Sequence, residues 1–252
     1  MALIYGGTGN DPLPGSASAD SIYGLVGDDT IWGYQSADYL VGGDGADFVY
    51  GGLGDDIMAG DAGADFLFGG GGADLIEGNF GDDEILGGTG ADTLWGFEDD
   101  DWLQGGAGAD VLRGNTGSDS LYGGTGTDGV NGGNGVDTVS GGGGKDTLRG
   151  GNAGDQFDFY SLADAGLGVG RDTILDFVSG SDKINLVSMD ADSIAFGNQA
   201  FTALQTVAFT GAVRELLYSG GILAGDVNGD AVADFQISLT GAPALVIGDI
   251  LL

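Results

Sequence analysis

Residues 51–78 read GGLGDDIMA GDAGADFLF GGGGADLIE G, set out here in nines. In each nine the first residue is Gly, the sixth is Asp and the eighth is apolar. The same frame runs outward in both directions without insertion. Asp recurs at 11, 20, 29 and every ninth position to 155, which makes 17 copies. Five residues before each Asp stands a Gly, from Gly6 to Gly150, and two residues after it an apolar residue, from Leu13 to Phe157. The unit is G-G-x-G-x-D-x-U-x, with U apolar.

Each column has a physical reason. Glycines permit the positive φ values of a tight reversal in the first six residues. The last three predict a short strand, whose side chains alternate between faces. U then points inward and its two neighbours outward. One unit cannot bury its single apolar residue, so units must stack. Two units make one coil, with a strand on each side. At about 4.8 Å per strand, eight and a half coils rise roughly 40 Å.

The remaining composition narrows the chemistry. The chain has 252 residues, 39 acidic and 6 basic, for a net charge of −33, and 56 glycines. That is about three times the usual glycine share. There is no His and no Cys. This excludes zinc fingers, His-based triads, thiol nucleophiles and disulfides. The charge repels phosphate backbones, so nucleic acid is not an expected partner. No run approaches 18 apolar residues, so no membrane span is expected, and no cleavable signal peptide is recognisable at Met1–Gly9. Apolar residues at 42% speak against an acidic disordered tail. Something must neutralise the carboxylates, and hard divalent cations suit them.

Segments such as GGTGND (6–11), GGLGDD (51–56) and GGTGAD (87–92) resemble the haemolysin-type, or RTX, calcium-binding nonapeptides. The resemblance covers Gly6–Asp158. It implies an all-β fold, a right-handed parallel β-roll, with Ca²⁺ between stacked turns on each edge, held by Asp carboxylates and turn carbonyls. A calcium-free solenoid would stack 17 carboxylates in two unscreened rows.

Odd and even turns lie on opposite edges. Nine odd and eight even turns leave at most 15 gaps. The even edge is regular from Gly51 to Asp146. Turns GSASAD (15–20), GYQSAD (33–38) and GFEDDD (96–101) depart, and the four gaps they touch are expected to bind poorly. That leaves roughly 11 Ca²⁺. The expected carboxylates are Asp11, Asp29, Asp47, Asp65, Asp83, Asp101, Asp119, Asp137 and Asp155 on one edge, and Asp56, Asp74, Asp92, Asp110, Asp128 and Asp146 on the other. The expected carbonyl donors are Gly42, Gly51, Gly54, Gly69, Gly72, Gly87, Gly90, Gly105, Gly108, Gly123, Gly126, Gly141 and Gly144. Such a chain is expected to be unfolded without calcium and folded with it.

Outward positions of the odd strands carry Trp32, Phe48, Tyr50, Phe66, Phe68, Leu86, Trp102 and Tyr122, while the even strands are more mixed. Later strands turn polar, as at Thr138, Ser140, Thr147 and Arg149. The aromatic stripe is either a contact face for self-assembly, a cell surface or a polysaccharide, or a surface covered by the same chain. Pro12 and Pro14, in the first repeat strand, would blunt the N-terminal edge against stacking.

After Asp158 the register stops, giving an expected division into a roll (1–158) and a β-rich C-terminal cap (159–252). Residues 156–185 and 211–239 resemble the C-terminal region of serralysin-type secreted proteases. That resemblance implies an uncleaved type I secretion signal ending in Gly248–Leu252, and export from a Gram-negative bacterium to the medium or cell surface. Asp226, Asn228, Asp230 and Asp234 are spaced like a calcium loop, or form an acidic hairpin turn. ADFQISL (233–239) reads as a strand and SLADAGLG (161–168) as a short helix. No H-E-x-x-H, G-x-S-x-G or P-loop occurs, so catalysis is not expected. Two readings of function stand: a secreted, calcium-folded structural or interaction protein, and a calcium-dependent polysaccharide-binding or secretion module related to exoenzymes. Retention of Met1 favours a complete gene product.

Overall fold

The computed structural model describes residues 2–189, 201, 203–205, 208–212, 214–241 and 243–252. Residue 213, within the 211–239 segment, lies outside the described residues. As far as Lys183–Asn185 consecutive strands alternate between two sheets in parallel register, so each pairs with the strand two places on. Among the described residues one sheet has 14 strands and the other 11. Odd turns lead into the eleven-stranded sheet, as Asp29 leads into Thr30–Gln35, and even turns into the other, as Asp20 leads into Ser21–Val26. The chain is an all-β parallel solenoid, with one short α-helix at Leu162–Ala165 among the described residues.

The U column is the core. Leu13 is 7% exposed, and the other sixteen, from Ile22 to Phe157, are 0–2% exposed. Register explains why the column is unbroken: Ile85 pairs with Leu67 on one side and Leu103 on the other. Each added coil therefore buries one apolar residue per sheet against its predecessor.

Repeat strands are longer than three residues. Most span six, as in Glu84–Thr89, and take in the first glycines of the next repeat. Gly88 has φ +108° and still pairs with Gly70 and Gly106. Stacked coils repeat the same bend, so the ladder continues through it.

Both ends of the roll differ from the sequence reading. A strand at Leu3–Tyr5 precedes the first full repeat and pairs with Ser21–Val26, placing Ile4 beside Ile22. Pro12–Pro14 is thus the second strand; it edges the eleven-stranded sheet, while Leu3–Tyr5 edges the other. The prolines blunt only one of the two edges. At the far end, Asp172–Ile174 and Lys183–Asn185 add to the two sheets in parallel register. Beyond them lies an antiparallel meander of Glu215–Ser219, Ile222–Asp226 and Phe235–Leu239. Ile250–Leu251 pairs with Ile184 and Asn185, so the terminal GDILL motif is part of the folded edge. The expected helix at 161–168 is a single turn at Leu162–Ala165, followed by a 3-10 turn at Gly168–Gly170. The expected strand at 233–239 begins at Phe235.

Candidate calcium-binding edges

The repeat aspartates form two hydrogen-bonded rows, one per edge. Along each row the main-chain N–H of one Asp donates to Oδ1 of the Asp one coil later. Asp29 donates to Asp47 at 2.7 Å, Asp65 to Asp83 at 2.8 Å, and Asp101 to Asp119 at 2.9 Å. This bond fixes Oδ1 and leaves Oδ2 free to turn inward. From Asp29 to Asp155 every repeat Oδ2 is buried without a hydrogen-bond partner. Fifteen carboxylate oxygens without partners are costly in a folded protein unless a cation or proton reaches them.

Glycine makes the space. A Cβ built on Gly105 would lie 2.6 Å from Asp110 Oδ2 and 2.5 Å from the Gly123 carbonyl oxygen. The same pair of oxygens converges at Gly123, where Asp128 Oδ2 and Gly141 O stand 2.7 and 2.6 Å from that point. At Gly51, Gly69 and Gly87 the matching carboxylate and the carbonyl one coil on meet the same way, and at Gly42 the Asp47 carboxylate does. Gly141 faces Asp146 Oδ2. At the fourth position, Gly72, Gly90, Gly108, Gly126 and Gly144 each stack on the carbonyl of Gly54, Gly72, Gly90, Gly108 and Gly126 one coil earlier. Among the described residues no group of three or more acidic side chains is placed to hold a metal ion by itself. A cation at these edges would therefore take carboxylate and carbonyl oxygens together, the donor mixture that hard Ca²⁺ accepts.

Electrostatics agree. Burial, opposed by the hydrogen bond to Oδ1 and helped by neighbouring carboxylates, pushes Asp101 up to about 8 and Asp65 up to about 7. Asp56, Asp83 and Asp128 also reach about 7, and Asp47, Asp92, Asp119, Asp137, Asp146 and Asp155 about 6. Burial also raises Asp74 and Asp110. These groups resist ionisation in the absence of a counter-charge.

The family model of the RTX calcium-binding nonapeptide repeat (4 copies) matches at residues 5–40, 32–67, 59–94, 95–130 and 131–160. The chain belongs to the RTX calcium-binding nonapeptide repeat family. The match spans more than half of its length. No curated protein matches it. Among solved structures it is similar to the AlgE6R3 subunit of the Azotobacter vinelandii mannuronan C5-epimerase, at 26% identity and a TM-score of 0.39, over 66% of this chain and 80% of that one.

Within this RTX roll the structure treats the irregular turns unequally. Turns 33–38 and 96–101 keep the turn backbone: Tyr34, Ser36, Phe97 and Asp99 take φ of 76, 72, 85 and 75° where regular turns have Gly. Asp38 and Asp101 carry the same partnerless Oδ2 as their neighbours. Turn 15–20 differs, because Asp20 Oδ2 accepts Ser16 N–H and Oγ–H, both at 2.7 Å. Asp11 Oδ2 likewise accepts Gly7 N–H at 2.6 Å. Composition separated these turns by glycine count; the structure separates them by who satisfies Oδ2.

The loop Asp226–Asp234 contrasts with the edges. Asp226 accepts from Gly229 and Ala231, Asn228 Oδ1 from Asp230, Asp230 from Val232, and Asp234 from Val227 and Asn228. Its own N–H groups occupy these oxygens, as in an acidic turn joining two antiparallel strands.

The aromatic stripe lies on the surface. Phe48 is 50% and Trp102 39% exposed, and Trp32, Tyr50, Phe66 and Phe68 are half-buried. Trp32 stacks on Tyr50 at 6.4 Å, and Phe66 meets Phe48 and Tyr50 at 5.9 Å. On the opposite sheet, whose mixed outward set in the sequence includes Tyr23 and Tyr39, Tyr5 joins these two in an aromatic line: Tyr5 stacks on Tyr23 at 5.2 Å, and Tyr23 lies 5.8 Å from Tyr39. Among the described residues the chain covers this face near its C-terminal end, where Ser140 is buried and donates to Asp158 O. Among the described residues no helix is long and apolar enough to cross a membrane.

Proposed function

We propose that this RTX protein is a secreted, non-catalytic β-roll that folds when it meets extracellular calcium and then acts through its aromatic face as a structural or self-associating protein. The observation that carries the reading is the double row of buried, partnerless Oδ2 atoms. Without calcium the rows repel, and a net charge of −33 opposes compaction. Roughly 11 to 15 divalent ions would remove 22 to 30 of those charges. Folding and binding are then one event. Export as an unfolded chain through a type I channel fits that coupling, because folding waits for calcium outside. Surface-associated or self-assembling behaviour is supported by the stacked aromatics on an otherwise acidic roll.

Sedimentation velocity with circular dichroism, in chelator and then across a calcium series, tests the proposal. An expanded chain that compacts and then associates supports it. A full β signal in excess chelator above about pH 8, where the repeat carboxylates are ionised, overturns the coupling, and a compact monomer at every concentration overturns self-association.

A polysaccharide-binding role is the second reading, and one observation favours it. Arg113, Asn131 and Arg149 stand in register on three adjacent strands of the fourteen-stranded sheet. Both arginines are exposed in a chain with only 6 basic residues. Arg113 lies 5.7 Å above Trp95. Such a row would meet carboxylates of an acidic sugar polymer. Binding lost on changing both arginines to Gln, with folding intact, would support it.

A further inference from the structure

The nine-residue frame places its next Asp at 164, yet the structure uses that residue otherwise. Asp164 turns back on the short helix, accepting Tyr160 N–H at 2.9 Å and Ser161 Oγ–H at 2.7 Å. The residue that stands next in the even row is Asp172. Its Oδ1 accepts the N–H of Asp146 at 2.7 Å, across 26 residues of sequence instead of 18. Thr173 N–H donates to Asp146 O, as Thr147 N–H donates to Asp128 O in the coil before. Ile174 pairs with Leu148 and is fully buried, so it fills the U column. Asp172-Thr173-Ile174 therefore reproduces the second half of a repeat without its glycine turn.

What Asp172 does with its second oxygen matters most. It is 0% exposed, and its Oδ2 has no partner. Among the described residues it is the one partnerless buried carboxylate oxygen outside the nine-residue repeat. The other row ends differently. Asp182 takes the place after Asp155, accepting its N–H at 3.1 Å, but Asp182 Oδ2 accepts Val178 N–H at 2.7 Å. That is the four-residue closure seen at Asp11 and Asp20, at the opposite end of the roll. At Asp172 the residue four back, Gly168, donates instead to Gln236 Oε1 at 3.2 Å, which Arg171 Nη1 also reaches at 3.1 Å. Ile237 pairs with Asp172 on the far side, so no further carboxylate follows in the row.

We infer that Asp146 and Asp172 form a terminal divalent-cation site, outside the repeat, that clamps the C-terminal segment onto the last coil. The inference rests on calcium filling the rows of the roll, as proposed above. Two partnerless buried carboxylate oxygens one coil apart call for protons or a cation; once they are ionised a cation must neutralise them, and a hard one suits the all-oxygen donors. The charges that reach Asp172 most strongly, from Asp146, Asp164 and Asp128, are all negative and add to that demand. The odd row has no equivalent, because Asp182 is closed by its own backbone. The clamp is thus one-sided and lies on the edge that leads into the fourteen-stranded sheet, where the antiparallel meander attaches.

The test uses the full chain and calcium alone. Native mass spectrometry at saturating calcium should count one ion fewer in Asp172→Asn than in the parent, with Asp164→Asn and Asp182→Asn unchanged. Amide exchange at Asp146 and Thr173 should speed up in Asp172→Asn while the central coils stay protected. A parent that binds no calcium and does not fold with it sinks the proposed function. A parent that folds with calcium, beside an Asp172→Asn variant with the same ion count and protection, sinks only the clamp. Should that variant fail to fold, the parent's calcium-loaded crystal decides. An anomalous peak about 2.4 Å from Asp172 Oδ2 supports the site, and a site without density overturns it.

Discussion

Asp101 Oδ1 accepts the main-chain N–H of Asp83 at 2.9 Å, while its equally buried Oδ2 accepts nothing. One carboxylate thus performs two separable tasks: Oδ1 holds coil to coil, and Oδ2 faces the cation. Asp101→Asn keeps an Oδ1 acceptor and removes the charge. We expect fewer bound ions and a calcium-loaded roll weakened by about 1–3 kcal/mol, the range for stranding a buried polar partner. Asp101→Ala loses both tasks and should cost more. Calcium titration with thermal melts of the two variants checks the order.

The metal-free roll should depend on pH with a definite sign. Repeat carboxylates titrate near 3.9 when unfolded, whereas burial holds Asp65 near 7 and Asp101 near 8 in the fold. A raised folded pKa stabilises below the unfolded value and loses that stabilisation as pH climbs through the folded one. In chelator, β structure should therefore form near pH 4 and melt between about pH 6 and 8. With calcium the sign reverses, since protons compete with the ion for Oδ2, and acid should release it. Circular dichroism across pH, with and without chelator, checks both. Apo β signal that grows with pH would contradict the burial argument.

The repeats were legible because one apolar residue, one Asp and one Gly recur in fixed columns, and only stacking buries the apolar one. The ends were less legible. Asp164 keeps the nine-residue spacing, but Phe159 replaces the Gly five places before it, and Asp164 serves a helix turn. Asp172 carries the D-x-U half of the pattern, with Ile174 as U, and lacks the turn that would have marked it. Its partnership with Asp146 depends on how 26 residues close in space, which periodicity does not encode. Leu3–Tyr5 was missed for a related reason: Ile4 is in frame as a U residue, but the chain offers no Gly or Asp before it.

Two glycine substitutions should part sharply. At Gly105 an added methyl would press on Asp110 Oδ2 and the Gly123 carbonyl oxygen together. Gly105→Ala should cost about 1–3 kcal/mol by overpacking and lower calcium affinity at that coil. At Gly129 nothing lies within 4 Å of the new Cβ, and no positive φ is needed there. Gly129→Ala should stabilise by about 0.4–1 kcal/mol through the unfolded state. Melting temperatures in saturating calcium measure both, and an equal loss in the two variants would contradict the cradle geometry.

The aromatic stripe can be removed without touching the edges. Trp32, Phe48, Phe66 and Trp102 point away from the U column, and Phe48 and Trp102 are the most open of the four. Changing all four to Ser removes cross-strand contacts such as Trp32 with Tyr50 and Phe48 with Phe66. Each such pair is worth about 0.2–1 kcal/mol. The calcium midpoint should therefore shift modestly, because the Asp rows and the core are untouched. Calcium-dependent association should fall at least tenfold, since the exposed apolar surface that drives it is gone. Sedimentation velocity at saturating calcium separates the two effects. A quadruple variant that still associates as the parent does would move the contact to another surface, and the Tyr5, Tyr23 and Tyr39 line on the opposite sheet would be the next to change.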